Sequence, residues 1–257
     1  MELSAEHEME LAAYREREIE RTRVASLFGL LPPRLHRALD VGTRDGHMAR
    51  LLADRVDEVT ALDLELPRVD HPRIRCVKGD ATALEFADNT FDLVVCAEVL
   101  EHIPTHLLAA ACEELSRVSG KHVLIGVPYR QDLRTDRTTC TECGKTNPPW
   151  GHVNSFDEKR LRQLFPTCEV ERVDFVGGTR EGTNFLSALL MQAAGNPYGT
   201  YVQDEPCVHC GATLRAPGAR SLGARCLTRA AVTLRRLQQP WVRERPKWIH
   251  ILFRKQS

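Results

Sequence analysis

Short, mostly apolar runs alternate along this chain with longer stretches in which apolar residues recur every three or four positions. The short runs Arg37–Val41, Glu58–Asp63, Ile74–Lys78, Phe91–Cys96 and His122–Val127 read as strands. His47–Arg55, His106–Ser116 and Asp157–Leu164 carry the helical period. Strands that alternate with helices at this spacing predict a mostly parallel, Rossmann-like α/β sheet with helices on both faces, and such sheets bind ligands beyond the C-terminal ends of their strands. Cys168–Val176 and Pro246–Lys255 predict two further strands. Between them lies a small Cys-bearing insertion with an apolar helix at Phe185–Ala194, a Gly/Pro-rich turn and a basic helix at Ala224–Gln238. Before the first strand, Glu2 to Leu31 alternates charge with Leu3, Leu11, Tyr14, Ile19, Val24, Leu27 and Phe28, which predicts an amphipathic helix ended by Pro32-Pro33.

The expected organisation is a helical cap over 1–33, a ligand-binding domain over 34–177 with a Cys-bearing loop at 138–154, the insertion over 178–245, and a final core strand over 246–257. A chain of 257 residues that is 42% hydrophobic can bury a full core. No apolar run reaches the roughly 18 residues of a membrane span. The start, Met1-Glu2-Leu3-Ser4-Ala5-Glu6, lacks the layout of a secretory signal. The expectation is a soluble, cytoplasmic protein without a membrane partner. The formal net charge is zero but unevenly spread, since Glu244 is the only acid from Arg215 to Lys255. That basic stretch can face an acidic partner or simply be solvated.

Chemistry gathers at the strand ends. Leu39-Asp40-Val41-Gly42-Thr43-Arg44-Asp45-Gly46 puts an acid at the end of the first strand and glycines where the chain turns into a helix, so backbone can approach a ligand closely. A structural turn or a dinucleotide site would look similar. Leu62-Asp63-Leu64 ends the second strand in a carboxylate able to accept from two ribose hydroxyls. Gly79-Asp80-Ala81 ends the third, where an acid and nearby backbone can read an adenine edge. Phe91-Asp92-Leu93-Val94-Val95-Cys96 then runs into Glu98-Val99-Leu100-Glu101-His102-Ile103.

This ordered set, from about Leu35 to Pro128, resembles the class I S-adenosylmethionine-dependent methyltransferases, especially their small-molecule branch. The resemblance implies that Asp40, Gly42 and Gly46 surround the methionine part of the cofactor, Asp63 with Leu64 the ribose, and Asp80 with Ala81 the adenine, with Cys96 at the end of the fourth strand beside them. One position departs from the pattern, because Arg44 stands where the family usually has a second glycine and its side chain must point away from the cofactor. An NAD-dependent dehydrogenase is the enzymatic rival, but Gly42-x-x-x-Gly46 is not G-x-G-x-x-G.

The nine cysteines include two matched pairs, Cys140-Thr141-Glu142-Cys143-Gly144 and Cys207-Val208-His209-Cys210-Gly211. Each has the form of a zinc knuckle, and together they predict a closed four-thiolate site for a structural Zn2+, with His152 or His209 as substitute ligands. Two metal-free turns or a redox pair are the alternatives. If zinc is bound, it clips the loop after the fifth strand to the insertion and forms a wall of the acceptor pocket. Asn147-Pro148-Pro149-Trp150 resembles the Asn-Pro-Pro-aromatic motif of amino-methyltransferases, but it lies beyond the fifth strand rather than the fourth and reads as a Pro-rich turn.

Methyl transfer needs alignment of the acceptor and, for a hydroxyl, removal of its proton. His102 and His152 are the candidate catalytic bases, with Glu98 and Glu101 as alternatives that could instead cap the next helix. Trp150-Gly151-His152-Val153 with Phe156, and the terminal Trp248–Phe253 stretch, look similar to bacterial methyltransferases of sugars and secondary metabolites. This resemblance implies O-methylation of a small molecule or glycan precursor, with C- or N-methylation open as well, and the basic insertion could receive a phosphate-bearing acceptor such as a nucleotide sugar. An RNA methyltransferase, or a non-enzymatic zinc-ribbon protein with a vestigial cofactor site, are the alternative functions.

Overall fold

The computed structural model describes residues 13–203 and 205–256. Within them, α1 (Glu18–Gly29) precedes β1 (Arg37–Val41), α2 (His47–Ala53), β2 (Glu58–Asp63), β3 (Ile74–Lys78), β4 (Phe91–Ala97), α3 (Leu108–Val118) and β5 (Ser119–Pro128). A small hairpin, β6 (Thr138–Thr139) and β7 (Thr146–Asn147), leads to α4 (Glu158–Leu164) and β8 (Cys168–Thr179). Helices α5 (Phe185–Ala193) and α6 (Leu222–Gln238) form the insertion before β9 (Arg245–Lys255).

Seven strands form one sheet in the order β3-β2-β1-β4-β5-β9-β8. The first five are parallel, whereas β9 runs antiparallel between β5 and β8. Consecutive buried residues explain the two-sided cover: Ala38 to Val41 and Leu93 to Cys96 are all buried, which only a strand covered on both faces allows. Leu108, Ala111 and Leu115 of α3, Leu161 of α4 and Phe165 just after it belong to the core on one face. Leu27 of α1 and Ala49, Leu52 and Ala53 of α2 belong to the core on the other. The sheet order reverses between β1 and β4, so the crevice at their C-terminal ends is the natural ligand position.

The N-terminal segment departs from expectation. Glu2 to Leu11 lies outside the described residues, and Arg17 takes an extended backbone that separates α1 from the turn before it. Nor is the inward face of α1 simply apolar, because it buries Glu20 and Arg23 beside Leu27. The guanidinium binds Glu20 twice, at 2.8 and 2.6 Å, so two charges enter the interior as a pair, with the buried Arg23 Nη1 left without a hydrogen-bond partner among the described residues. Helix α5 packs on α6, with Ser187 Oγ donating to the Ala231 carbonyl at 2.8 Å. Among the described residues no helix is long and apolar enough to cross a membrane.

Candidate functional site

The turn after β1 is built on backbone that only glycine adopts readily. Gly42 and Gly46 have φ of 74° and 77°. A Cβ on Gly46 would lie closer than 3.0 Å to Val69 Cγ2, and one on Gly42 closer than 3.0 Å to Val99 Cγ2. Gly46→Ala is therefore expected to cost about 2 kcal/mol, from left-handed strain plus overpacking, and to lower the Tm by roughly 6 °C. A thermal melt that moves by less than about 2 °C would remove the close approach from the account. Arg44 takes a glycine-like φ of 52°, its side chain is exposed, and its amide donates to Asp63 Oδ2 at 2.7 Å.

Asp63 Oδ1 accepts from the amide of Leu64 at 2.7 Å, so one backbone donor holds each carboxylate oxygen and a lone pair remains on each. Asp40 is buried and accepts from Thr43 Oγ1 at 2.6 Å. Burial pushes its carboxyl up to about 6, the Thr43 bond works against the rise, and the charge of Asp63 adds to it. Asp80 is exposed and caps its own turn, its Oδ1 accepting from the amide and hydroxyl of Thr82 at 2.8 Å each, while Ala81 is buried beside it. The three acids stand at or just after the ends of β1, β2 and β3. Cys96 differs, because its side chain is buried in the core and only its main chain reaches this edge.

Beyond β4, Glu98 has a left-handed φ of 58°. Trp248 Nε1 donates to its Oε2 at 3.2 Å, and its buried Oε1 has no partner. Burial raises its carboxyl while the nearby charge of Arg23 opposes the rise. Glu101 is fully buried with both carboxylate oxygens unpartnered, and burial followed by the charge of Glu98 raises its carboxyl well above the ordinary range. The rings of His102 and His152, far apart in sequence, meet edge to face with centroids 4.6 Å apart. Burial, then the neighbouring His102, pushes His152 down to about 3; burial also lowers His102, against the pull of Glu205. Both imidazoles are therefore neutral near pH 7. His152 Nδ1 is 2.6 Å from Gln131 Oε1, which makes Nδ1 the protonated nitrogen.

Two residues that motif reading did not single out hold this arrangement. Asn154 Nδ2 donates to the carbonyls of Leu100 and Ile103 at 3.0 and 2.6 Å, and the amide of Val153 donates to that of Glu101 at 2.7 Å. Gln131 fixes the His152 ring. A polar residue in a loop gives no sign in sequence that its bonds reach another loop.

The four paired cysteines also come together. Cys140 Sγ is 3.7 Å from Cys210 Sγ, Cys143 Sγ is 3.7 Å from Cys207 Sγ, and the four sulfurs lie within 4.8 Å of one another. A tetrahedron of sulfurs around zinc at about 2.3 Å has edges of about 3.8 Å, so the set fits that ion. The knuckles match: Gly144 and Gly211 have φ of 70° and 73°, and their amides return to the carbonyls of Cys140 and Cys207. Neither substitute histidine joins them, since His152 pairs with His102 and His209 Nε2 lies 3.1 Å from the Thr146 carbonyl. Asn147 is buried and its Oδ1 accepts from the amide of Val208 at 2.9 Å, tying one knuckle's strand to the other knuckle. That bond gives the Asn-Pro-Pro-Trp stretch a structural task.

Residues 39–124 match the family model described as "Methyltransferase domain". The chain is 35% identical over 118 residues to a ubiquinone biosynthesis O-methyltransferase of Alkalilimnicola ehrlichii, covering 42% of this chain and 47% of that one. It is 32% identical over 106 residues to a demethylmenaquinone methyltransferase of Roseiflexus castenholzii, covering 38% and 44%. The match thus spans about half the length of these curated relatives or less. Among solved structures, the N-methyltransferase NodS of Bradyrhizobium japonicum superposes with a TM-score of 0.55 at 15% identity, covering 95% of this chain and 99% of that one. NodS has also been solved in complex with S-adenosyl-L-homocysteine. The shared element order and sheet establish the methyltransferase-type α/β fold.

Proposed function

We propose that this chain transfers a methyl group from S-adenosylmethionine to an oxygen of a small-molecule acceptor. The observation that carries the reading is the convergence of Asp40, Asp63 and Asp80 at successive strand ends around the left-handed turns of Gly42 and Gly46. Those residues fit the cofactor. The glycine turns leave room for the methionine part, Asp63 offers one free lone pair per oxygen to the ribose hydroxyls, and the turn of Asp80 and Ala81 lies where the adenine would rest. When bound, S-adenosylmethionine supplies a methyl on a cationic sulfur, whose bond electrons stay with sulfur on transfer. The relatives named for quinone pathways support a small, ring-bearing acceptor.

The rest of the chemistry falls to side chains of this chain. His102 lies just past β4 and is the neutral imidazole placed to take the acceptor's hydroxyl proton, with the ring of His152 packed edge to face against it. A Cβ on Gly151 would lie 3.1 Å from the side chain of Glu205 and 3.6 Å from His102 Nδ1, so the segment before Cys207 closes on the histidine pair. In this reading a structural Zn2+ on Cys140, Cys143, Cys207 and Cys210 fixes that segment as a wall of the acceptor pocket. It would do no Lewis-acid work, because four thiolates leave no open position.

Calorimetric titration with S-adenosylmethionine across pH tests the reading. A cationic ligand beside Asp40 favours its carboxylate, so micromolar affinity is expected above about pH 6 and a loss approaching tenfold per unit below it. The folding contribution has the opposite sign. Folded Asp40 holds its proton more tightly than the unfolded chain, so its share of stability falls as pH rises from the ordinary aspartate range through about 6. No binding at any pH by folded protein would sink the proposal.

A further inference from the structure

The buried carboxylate of Glu101 has a burden that the functional reading does not explain. It is fully enclosed, neither oxygen has a hydrogen-bond donor from another residue among the described residues, and the part-satisfied carboxylate of Glu98 stands three residues earlier. A carboxylate in such a place requires a proton or a cation. Two imidazoles are already present, and one ligand atom each from Glu101, His102 and His152 lies within 4.8 Å of the others.

We infer that Glu101, His102 and His152 form a second metal site, for a borderline divalent cation such as Mn2+, Fe2+, Co2+ or Zn2+, separate from the four thiols. Ligands bonded at about 2.1 Å sit roughly 3 to 4 Å apart around such a cation, so closure needs a contraction of about 1 Å. His152 already has the form of a ligand, because Nδ1–H is turned to Gln131 and Nε2 keeps its lone pair. The site is also held before any ion arrives. The amides of Val153 and Asn154 both donate to the Glu101 carbonyl, at 2.7 and 3.2 Å, and Asn154 Nδ2 bonds the carbonyls on either side of the Glu101–His102 pair. Two loops about fifty residues apart in sequence are thereby stitched at the ligands themselves.

A nitrogen-rich set with one carboxylate is chemically unlike the closed, all-sulfur set, and the two select metals differently. The consequence for catalysis rests on the methyltransferase reading: with a cation in place, the histidines serve as its ligands rather than as free bases.

The test counts metal. Full-length protein is dialysed against Mn2+, then against Co2+, and bound metal is measured with the Co2+ absorption spectrum, for wild type, Glu101→Gln, His152→Ala and Cys210→Ser. One equivalent beyond any held by the four thiols, without sulfur charge-transfer bands of its own, is expected, weakened at least 100-fold in Glu101→Gln and His152→Ala and kept in Cys210→Ser. Glu101→Gln is nearly isosteric, so it decides the matter if His152→Ala does not fold. An equivalent unaffected by Glu101→Gln, or metal bound only with sulfur bands, overturns the site. Cofactor titration of the same samples separates the two readings. Metal without cofactor binding defeats the methyltransferase reading alone, and cofactor binding without this equivalent defeats the metal site alone.

Discussion

Asp63→Ala is expected to weaken S-adenosylmethionine binding about 100-fold, close to 3 kcal/mol, with the sheet intact. Two losses combine. In the proposed function the carboxylate's free lone pairs accept from both ribose hydroxyls, and its bonds to the amides of Arg44 and Leu64, at 2.7 Å each, hold the turn after β1 against the end of β2. Asp63→Asn separates them, because an amide keeps one acceptor oxygen and should lose roughly tenfold less than alanine. Calorimetry on the three proteins reads the effect, and circular dichroism confirms the fold. Affinity within about threefold of wild type in Asp63→Ala would remove Asp63 from the site and with it the ribose half of the proposal.

Cys207→Ser is expected to have the largest effect on stability. The knuckles belong to segments that share little other core: Cys140, Cys207 and Leu214 form a buried cluster of their own, backed by Tyr201 and Ala212. So small a cluster cannot order a region of this length, and a structural zinc would contribute several kcal/mol to it. Burial disfavours the Cys207 thiolate, but backbone donors at His209 and Cys210 and the neighbouring thiols outweigh it and bring the thiol down to about 6. That sulfur is ready to bind metal at neutral pH. Elemental analysis of protein carrying Glu101→Gln, which leaves only the four thiols to hold metal, should give one zinc per chain, absent when Cys207→Ser is added, with a Tm lowered by about 10 °C or more. Far-UV dichroism of the main sheet should change little. Wild-type protein with no zinc and four freely reactive thiols would refute the clip.

The acids and glycines at the strand ends were legible in order because each part is local. An acid at a strand end and glycines at the next turn follow from what a few adjacent residues do, and the strand boundaries fell within a few residues of their places. Helix α1 was read less well. Its polar residues suggested a solvated face, yet Glu20 and Arg23 are buried, because the helix lies near the enclosed carboxylate of Glu98 and brings a positive charge to it. A helical period records spacing, not the charge of the surface it will meet.

By itself, then, the sequence determined the alternation of strands and helices, the acids and glycines at the strand ends, and the pairing of cysteines within each knuckle. All of these depend on backbone geometry over a few residues. Only the tertiary structure decided that the knuckles face each other, that Asn147 bonds the second knuckle, that β9 slots antiparallel between β5 and β8, and that Glu101, His102 and His152 share one enclosed point. The physical reason is that these contacts join segments brought together by sheet order and loop closure, and no local propensity encodes which distant polar groups will be left to satisfy one another.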